Sequence, residues 1–107
     1  MQSSLPFKTL TDGATVAVDF NKSQNHVVTL AGNRTLTFSN PQAGSRYLLK
    51  ITQDATGSRT ITWPSTVKWA GGSAPTLTAT AAKTDLIEFL FDGTNYLDVN
   101  IVKNFTL

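Results

Sequence analysis

Cysteine is absent from the 107 residues, histidine occurs once (His26) and glutamate once (Glu88). Without cysteine the chain can form neither disulfides nor thiolate metal sites, so packing, strand pairing or association must stabilise it. One histidine and no cysteine cannot assemble a Cys–His nucleophile or a zinc site, and no Gly-x-Ser-x-Gly or phosphate-binding loop is present. No apolar run approaches the ~20 residues of a membrane helix, and Met1–Pro6 lacks a basic segment leading into an apolar one. The sequence therefore predicts synthesis in a reducing cytoplasm and no membrane insertion. Nine basic residues give a net charge of only +2 and are scattered along the chain, which argues against nucleic acid as a partner.

What is plentiful is Thr, Ser, Asn and Gln, residues that suit strands and turns better than helices. Apolar residues recur at every second position: Val16, Val18, Phe20; Val28, Leu30; Leu36, Phe38; Tyr47, Leu49, Ile51; Ile61, Trp63; Ile87, Phe89, Phe91; Leu97, Val99, Ile101. That is the repeat of half-buried strands. Asp12-Gly13, Ala31-Gly32-Asn33, Asn40-Pro41, Ala55-Thr56-Gly57, Gly71-Gly72 and Asp92-Gly93 punctuate them with turn chemistry. The expected fold is all-β, a small antiparallel β-sandwich or jelly-roll-like domain over 11–107, preceded by an N-terminal arm over 1–10.

Loop lengths follow from parity, because a one-residue slip turns every inward side chain outward. Val28 and Leu30 share a face with Leu36 and Phe38 across a three-residue hairpin loop, Ala31-Gly32-Asn33. The last hairpin likewise needs an odd loop to point Ile87, Phe89, Phe91, Leu97, Val99 and Ile101 inward. Leu48, Leu86, Leu90 and Tyr96 then fall on outer faces; gathered into one patch, Leu48, Leu86 and Leu90 form a candidate oligomer interface.

For chemistry the chain offers little. His26 is read as an ordinary strand-edge residue. Glu88 and Asp98 are the acid pair a glycan hydrolase would use, opposed only if the last hairpin has a three-residue loop. Asp92-Gly93-Thr94-Asn95 lacks the alternating carboxylates of a calcium loop and reads as a turn. Asp12, Asp19 and Asp54 are the remaining acids whose convergence on an ion spacing alone does not decide. No cofactor is expected. Trp63 and Trp69, with Tyr96, are the candidate recognition surface for host glycans, the alternative being that both indoles plug one end of the sandwich.

Gln53-Asp54-Ala55-Thr56-Gly57-Ser58-Arg59-Thr60-Ile61-Thr62-Trp63-Pro64, then Val67-Lys68-Trp69-Ala70-Gly71-Gly72, Pro75-Thr76-Leu77-Thr78, Asp85 to Glu88 and Phe91-Asp92-Gly93-Thr94-Asn95-Tyr96 resemble a module of bacteriophage and prophage virion surface proteins. The resemblance spans about Thr11 to Val102. It implies a non-enzymatic structural module of a tail fibre, head fibre or capsid decoration protein, homotrimeric, made in the host cytoplasm and displayed on the virion surface. It also implies attachment to capsid, tail or host surface, and it carries over no catalytic residue.

Overall fold

Period-two alternation sends one side chain of each pair inward, and burial follows it strand by strand. The computed structural model describes residues 7–107. The strands are β1 (Lys8–Thr9), β2 (Thr15–Asp19), β3 (Asn25–Leu30), β4 (Arg34–Ser39), β5 (Arg46–Gln53), β6 (Ile61–Thr62), β7 (Val67–Lys68), β8 (Thr84–Phe91) and β9 (Tyr96–Phe105), with one 3-10 turn at Ala70–Gly72. Val16 and Val18, Val28 and Leu30, Leu36, then Tyr47, Leu49 and Ile51, and Ile87 and Phe89 are all buried. The all-β sandwich expected from the alternation is the fold: a six-stranded sheet in the order β1-β3-β5-β8-β9-β7 faces a three-stranded sheet, β2-β4-β6.

Pairing within these sheets is mixed, not antiparallel throughout. From β1 to β6 the chain alternates between layers, and each strand pairs in parallel with the strand two along: β1 with β3, β2 with β4, β3 with β5, β4 with β6. Parallel neighbours need a crossover of a dozen or more residues, and here the strand in the opposite layer supplies it. Val28–Leu30 and Leu36–Phe38 are therefore not the two arms of a hairpin. Ala31-Gly32-Asn33 is an arch between layers, and both segments point inward from opposite sides. From Thr84 onward the pattern changes: β8 runs antiparallel to β5, β9 antiparallel to β8, and β7 lies parallel on β9.

The last hairpin exists, but its loop has four residues. Phe91 pairs with Tyr96 and Leu90 with Leu97, while a bulge that leaves out Val99 restores Ile87 opposite Ile101. Even loop plus bulge reproduces an odd loop beyond residue 99 and inverts the expectation before it. Of the expected arm, 1–6 lie outside the described residues, whereas Lys8–Thr9 pair with β3 and Leu10 packs against the core.

An aromatic cluster fills one end of the sandwich. Phe20 stacks on Tyr47 with ring centres 4.1 Å apart, and Phe38 meets Tyr96 edge to face at 4.9 Å. Below it, buried Gln53 accepts the Arg59 N–H and donates to the Arg59 and Thr78 carbonyls, tying β5 to two loops. Gly57 sits between those loops with φ +74°, where a Cβ would lie 2.5 Å from the Ala79 oxygen and 2.8 Å from the Ala81 nitrogen. Gly72 has φ +87° but open space around it. Urea denaturation should show Gly72→Ala costing only ~1 kcal/mol of left-handed strain, whereas Gly57→Ala, with a backbone clash added, costs more than ~2 kcal/mol.

Candidate functional site

The two outer faces of the sandwich differ in chemistry. That of the three-stranded sheet carries small polar side chains, Thr15, Thr35 and Thr62 in one row and Ala17 beside Thr37 in another, all exposed. That of the six-stranded sheet holds an apolar patch among polar and charged side chains. Leu48, Leu86 and Leu90 all lie on it, half-buried, as the sequence predicts. Leu97 stands opposite Leu90, Val102 opposite Leu86, and Val27 flanks Lys50. Arg46, Lys50 and Glu88 are interleaved with the leucines, so the patch is a checkerboard. Leu97 stands on this face against the sequence expectation, because the four-residue loop inverts the parity of β9 before Val99, whereas Val102 lies beyond the bulge that restores it. At one corner Phe7, Lys50, Leu86, Phe105 and Leu107 line an apolar cleft of about 250 Å³, with the Lys50 ammonium 5.8 Å from the Phe7 ring centre.

The expected recognition surface does not form as three exposed rings. Tyr96 is buried, 3% exposed, because the four-residue loop places it opposite Phe91 on the inner face. Burial and the neighbouring Tyr47 push its phenol up to about 12. Trp63 and Trp69 are half-buried and meet edge to face at 5.1 Å, and each packs against Phe89, at 5.8 and 5.7 Å. Phe89 is fully buried. The indoles thus cover the inner face of β8 where the three-stranded sheet stops short, which is the plug arrangement. Trp63 also borders a cleft of about 300 Å³ with Arg59, Thr60, Pro75 and Thr76.

The acids are spent on structure. Glu88 lies opposite Leu48 and Asn100 on the outer face, whereas Asp98 lies opposite inward-facing Phe89 and accepts the Ala70 N–H at 2.9 Å. The pair a hydrolase would need is split between the two faces of the sheet. Asp12 forms a bidentate pair with Arg34, and that guanidinium holds its carboxyl below the usual range. Asp19 accepts from Asn40 and the Asn21 N–H. Asp54 takes Arg59 and the Thr56 and Gly57 N–H groups, and is lowered to about 2 chiefly by Arg59. Asp92 accepts the Thr94 and Asn95 N–H groups and closes the last turn. Among the described residues no three acids or histidines gather into a metal site.

His26 is a core residue and not a strand-edge one. It is 1% exposed, stands edge-on to Phe20 at 5.5 Å, and its Nε2 donates to the Ser23 carbonyl at 2.9 Å. Nδ1 is buried without a hydrogen-bond partner among the described residues. Burial lowers the pKa of His26, against the opposing Ser23 hydrogen bond. The unfolded chain, titrating near ~6.5, then binds a proton that the folded one refuses, so stability is lost as pH falls below that value. Denaturation midpoints measured from pH 8 to 5 should decline below about 6.5 in the native protein and stay flatter in His26→Leu. The carboxylate contributions fade only in the acid range, below their unfolded value of 3.8. Trp69→Ala should lower stability by ~2–3 kcal/mol, less than the ~3–5 of a fully buried tryptophan, as read by urea unfolding.

No curated protein and no solved structure matches this chain. A family model described as "Putative phage tail fibre C-terminal domain" matches residues 10–96, which include both tryptophans, Gly57, the arches and the turn at Asp92. That span covers most of the sandwich and most of the expected resemblance. The chain belongs to the phage tail fibre C-terminal domain family.

Proposed function

We propose that this domain is a non-enzymatic structural module displayed on the virion surface, and that it assembles as a homotrimer through the outer face of its six-stranded sheet. The observation that carries the reading is the asymmetry of the two outer faces. One is a lawn of threonines; the other presents Leu48, Leu86, Leu90, Leu97 and Val102 around Lys50 and Glu88. An apolar patch broken by charges of both signs, Arg46 and Lys50 against Glu88, suits a subunit interface, where Glu88 can meet a cation of the next copy. The trimer then attaches the fibre to its particle, to tail or capsid proteins, or to the host surface. Host glycan recognition by Trp63 and Trp69 is the weaker reading, since both rings are engaged with Phe89 and Tyr96 is buried.

Size exclusion with light scattering at micromolar concentration should return three times the 11.5 kDa chain mass. Leu86→Glu combined with Leu90→Glu should return the monomer with its circular dichroism unchanged, because neither side chain enters the core. A native protein that is monomeric throughout that range would overturn the trimer.

A further inference from the structure

Three of the four sheet edges among the described residues are strands of two residues: β1, β6 and β7. The fourth is β2, five residues long, at the edge of the three-stranded sheet. Sheet proteins blunt their edges with short strands, proline, lysine or bulges. β2 (Thr-Val-Ala-Val-Asp) carries none of these.

Its hydrogen-bonding directions are fixed by its one partner. Thr35 donates to the Ala14 carbonyl and Phe20 donates to the Ser39 carbonyl, so the even-numbered residues of this strand face β4. The N–H and C=O groups of Thr15 and Ala17 and the N–H of Asp19 point away from it, and no described residue pairs with them. The Asp19 carbonyl is taken by Lys22. These same three residues line one wall of a cleft of about 390 Å³, whose other wall is the Lys8–Gly13 segment. Lys22 and buried His26 also border it, and its carboxylates, Asp12 and Asp19, are held by Arg34 and by Asn21 and Asn40.

We infer that this cleft is a strand-docking site: an extended segment of another polypeptide pairs in parallel with the free edge of β2, continuing the layer-skipping coil. Row upon row of backbone donors and acceptors is answered only by another backbone. Parallel order follows from the two strands already in this sheet. The coil offset is 18 residues from Lys8 to His26 and 20 from Thr15 to Thr35. Lys8 and Lys22 lie at the Asp19 end of β2 and favour an acidic residue at the C-terminal end of the docking segment.

The test is amide hydrogen exchange by NMR on the full chain, with the blocked peptide Thr-Val-Thr-Val-Thr-Asp as the probe. In the protein alone, the amides of Thr15, Ala17 and Asp19 should exchange at least about tenfold faster than those of Val16 and Val18. Saturating peptide should slow those three by a similar factor, and the same peptide N-methylated at alternate amides should not. Ala17→Pro removes only an outward N–H, which an edge strand tolerates. It should keep Val16 and Val18 protected while abolishing the response. Slowing that grows with protein concentration, without peptide, would support the site with a second copy as donor. Amides already protected in the dilute protein, no slowing by the peptide, or an equal response in Ala17→Pro would each overturn it.

Discussion

From β1 to β6 no strand pairs with its immediate successor, and the rest of the molecule answers to that constraint. A strand that must find its partner two elements along has to pass through the opposite layer on the way, so both layers are built at once and each arch crosses the core. Inward side chains then meet from both sides every few residues, which is how a chain this short buries a continuous aromatic cluster. The hairpin of β8 and β9 closes the wide sheet beyond the point where the narrow one ends, and Trp63 and Trp69 fill the step between them.

Arches and turns of this kind leave backbone N–H groups without ladder partners, and the acids supply them. Asp19, Asp54, Asp85 and Asp92 each accept main-chain N–H groups: at an arch, at the Gly57 loop, at the β9 bulge beside Asn104, and at the last turn. Asp85 does so while buried, satisfied by Thr78 N–H, Thr78 hydroxyl and Asn104 N–H. A carboxylate accepting several N–H bonds is held in its charged form: Asp92 is lowered by the Asn95 and Thr94 N–H groups, and at Asp19 and Asp54 such groups add to the larger effects of Asn40 and Arg59. The scarcity of acids in the sequence thus reflects a structural use of nearly every one of them, with Glu88 and its place on the apolar patch the departure.

Much of the layer assignment was legible in the sequence. Period two placed Val16, Val18, Leu30, Leu36, Leu49, Ile51, Ile87 and Phe89 inside and Leu48, Leu86 and Leu90 outside, and all stand so. Strand partners were not legible, because alternation reports which face a residue takes and is blind to what lies beside it. Val28–Leu30 and Leu36–Phe38 satisfy the same parity as a hairpin and as two sides of an arch. Tyr96 was misplaced for a related reason: an even loop and a bulge compensate each other beyond Val99, and only the residues between them reveal it. His26 gave no signal at all, since a lone histidine at a strand start reads alike whether Phe20 packs on it or water does.

The central strand β5 carries a further implication for how the chain is made. It is paired on one side by β3, which precedes it, and on the other by β8, whose last residue is Phe91. Domains emerge from the ribosome N-terminus first. The coil of β1 to β6 is therefore complete before the strand that shields its middle exists, and the β5 edge, with Leu48 beside it, stands open for the time it takes to synthesise nearly forty more residues. That interval is when a wrong strand could pair with β5, and folding fidelity rests on how promptly β8 arrives.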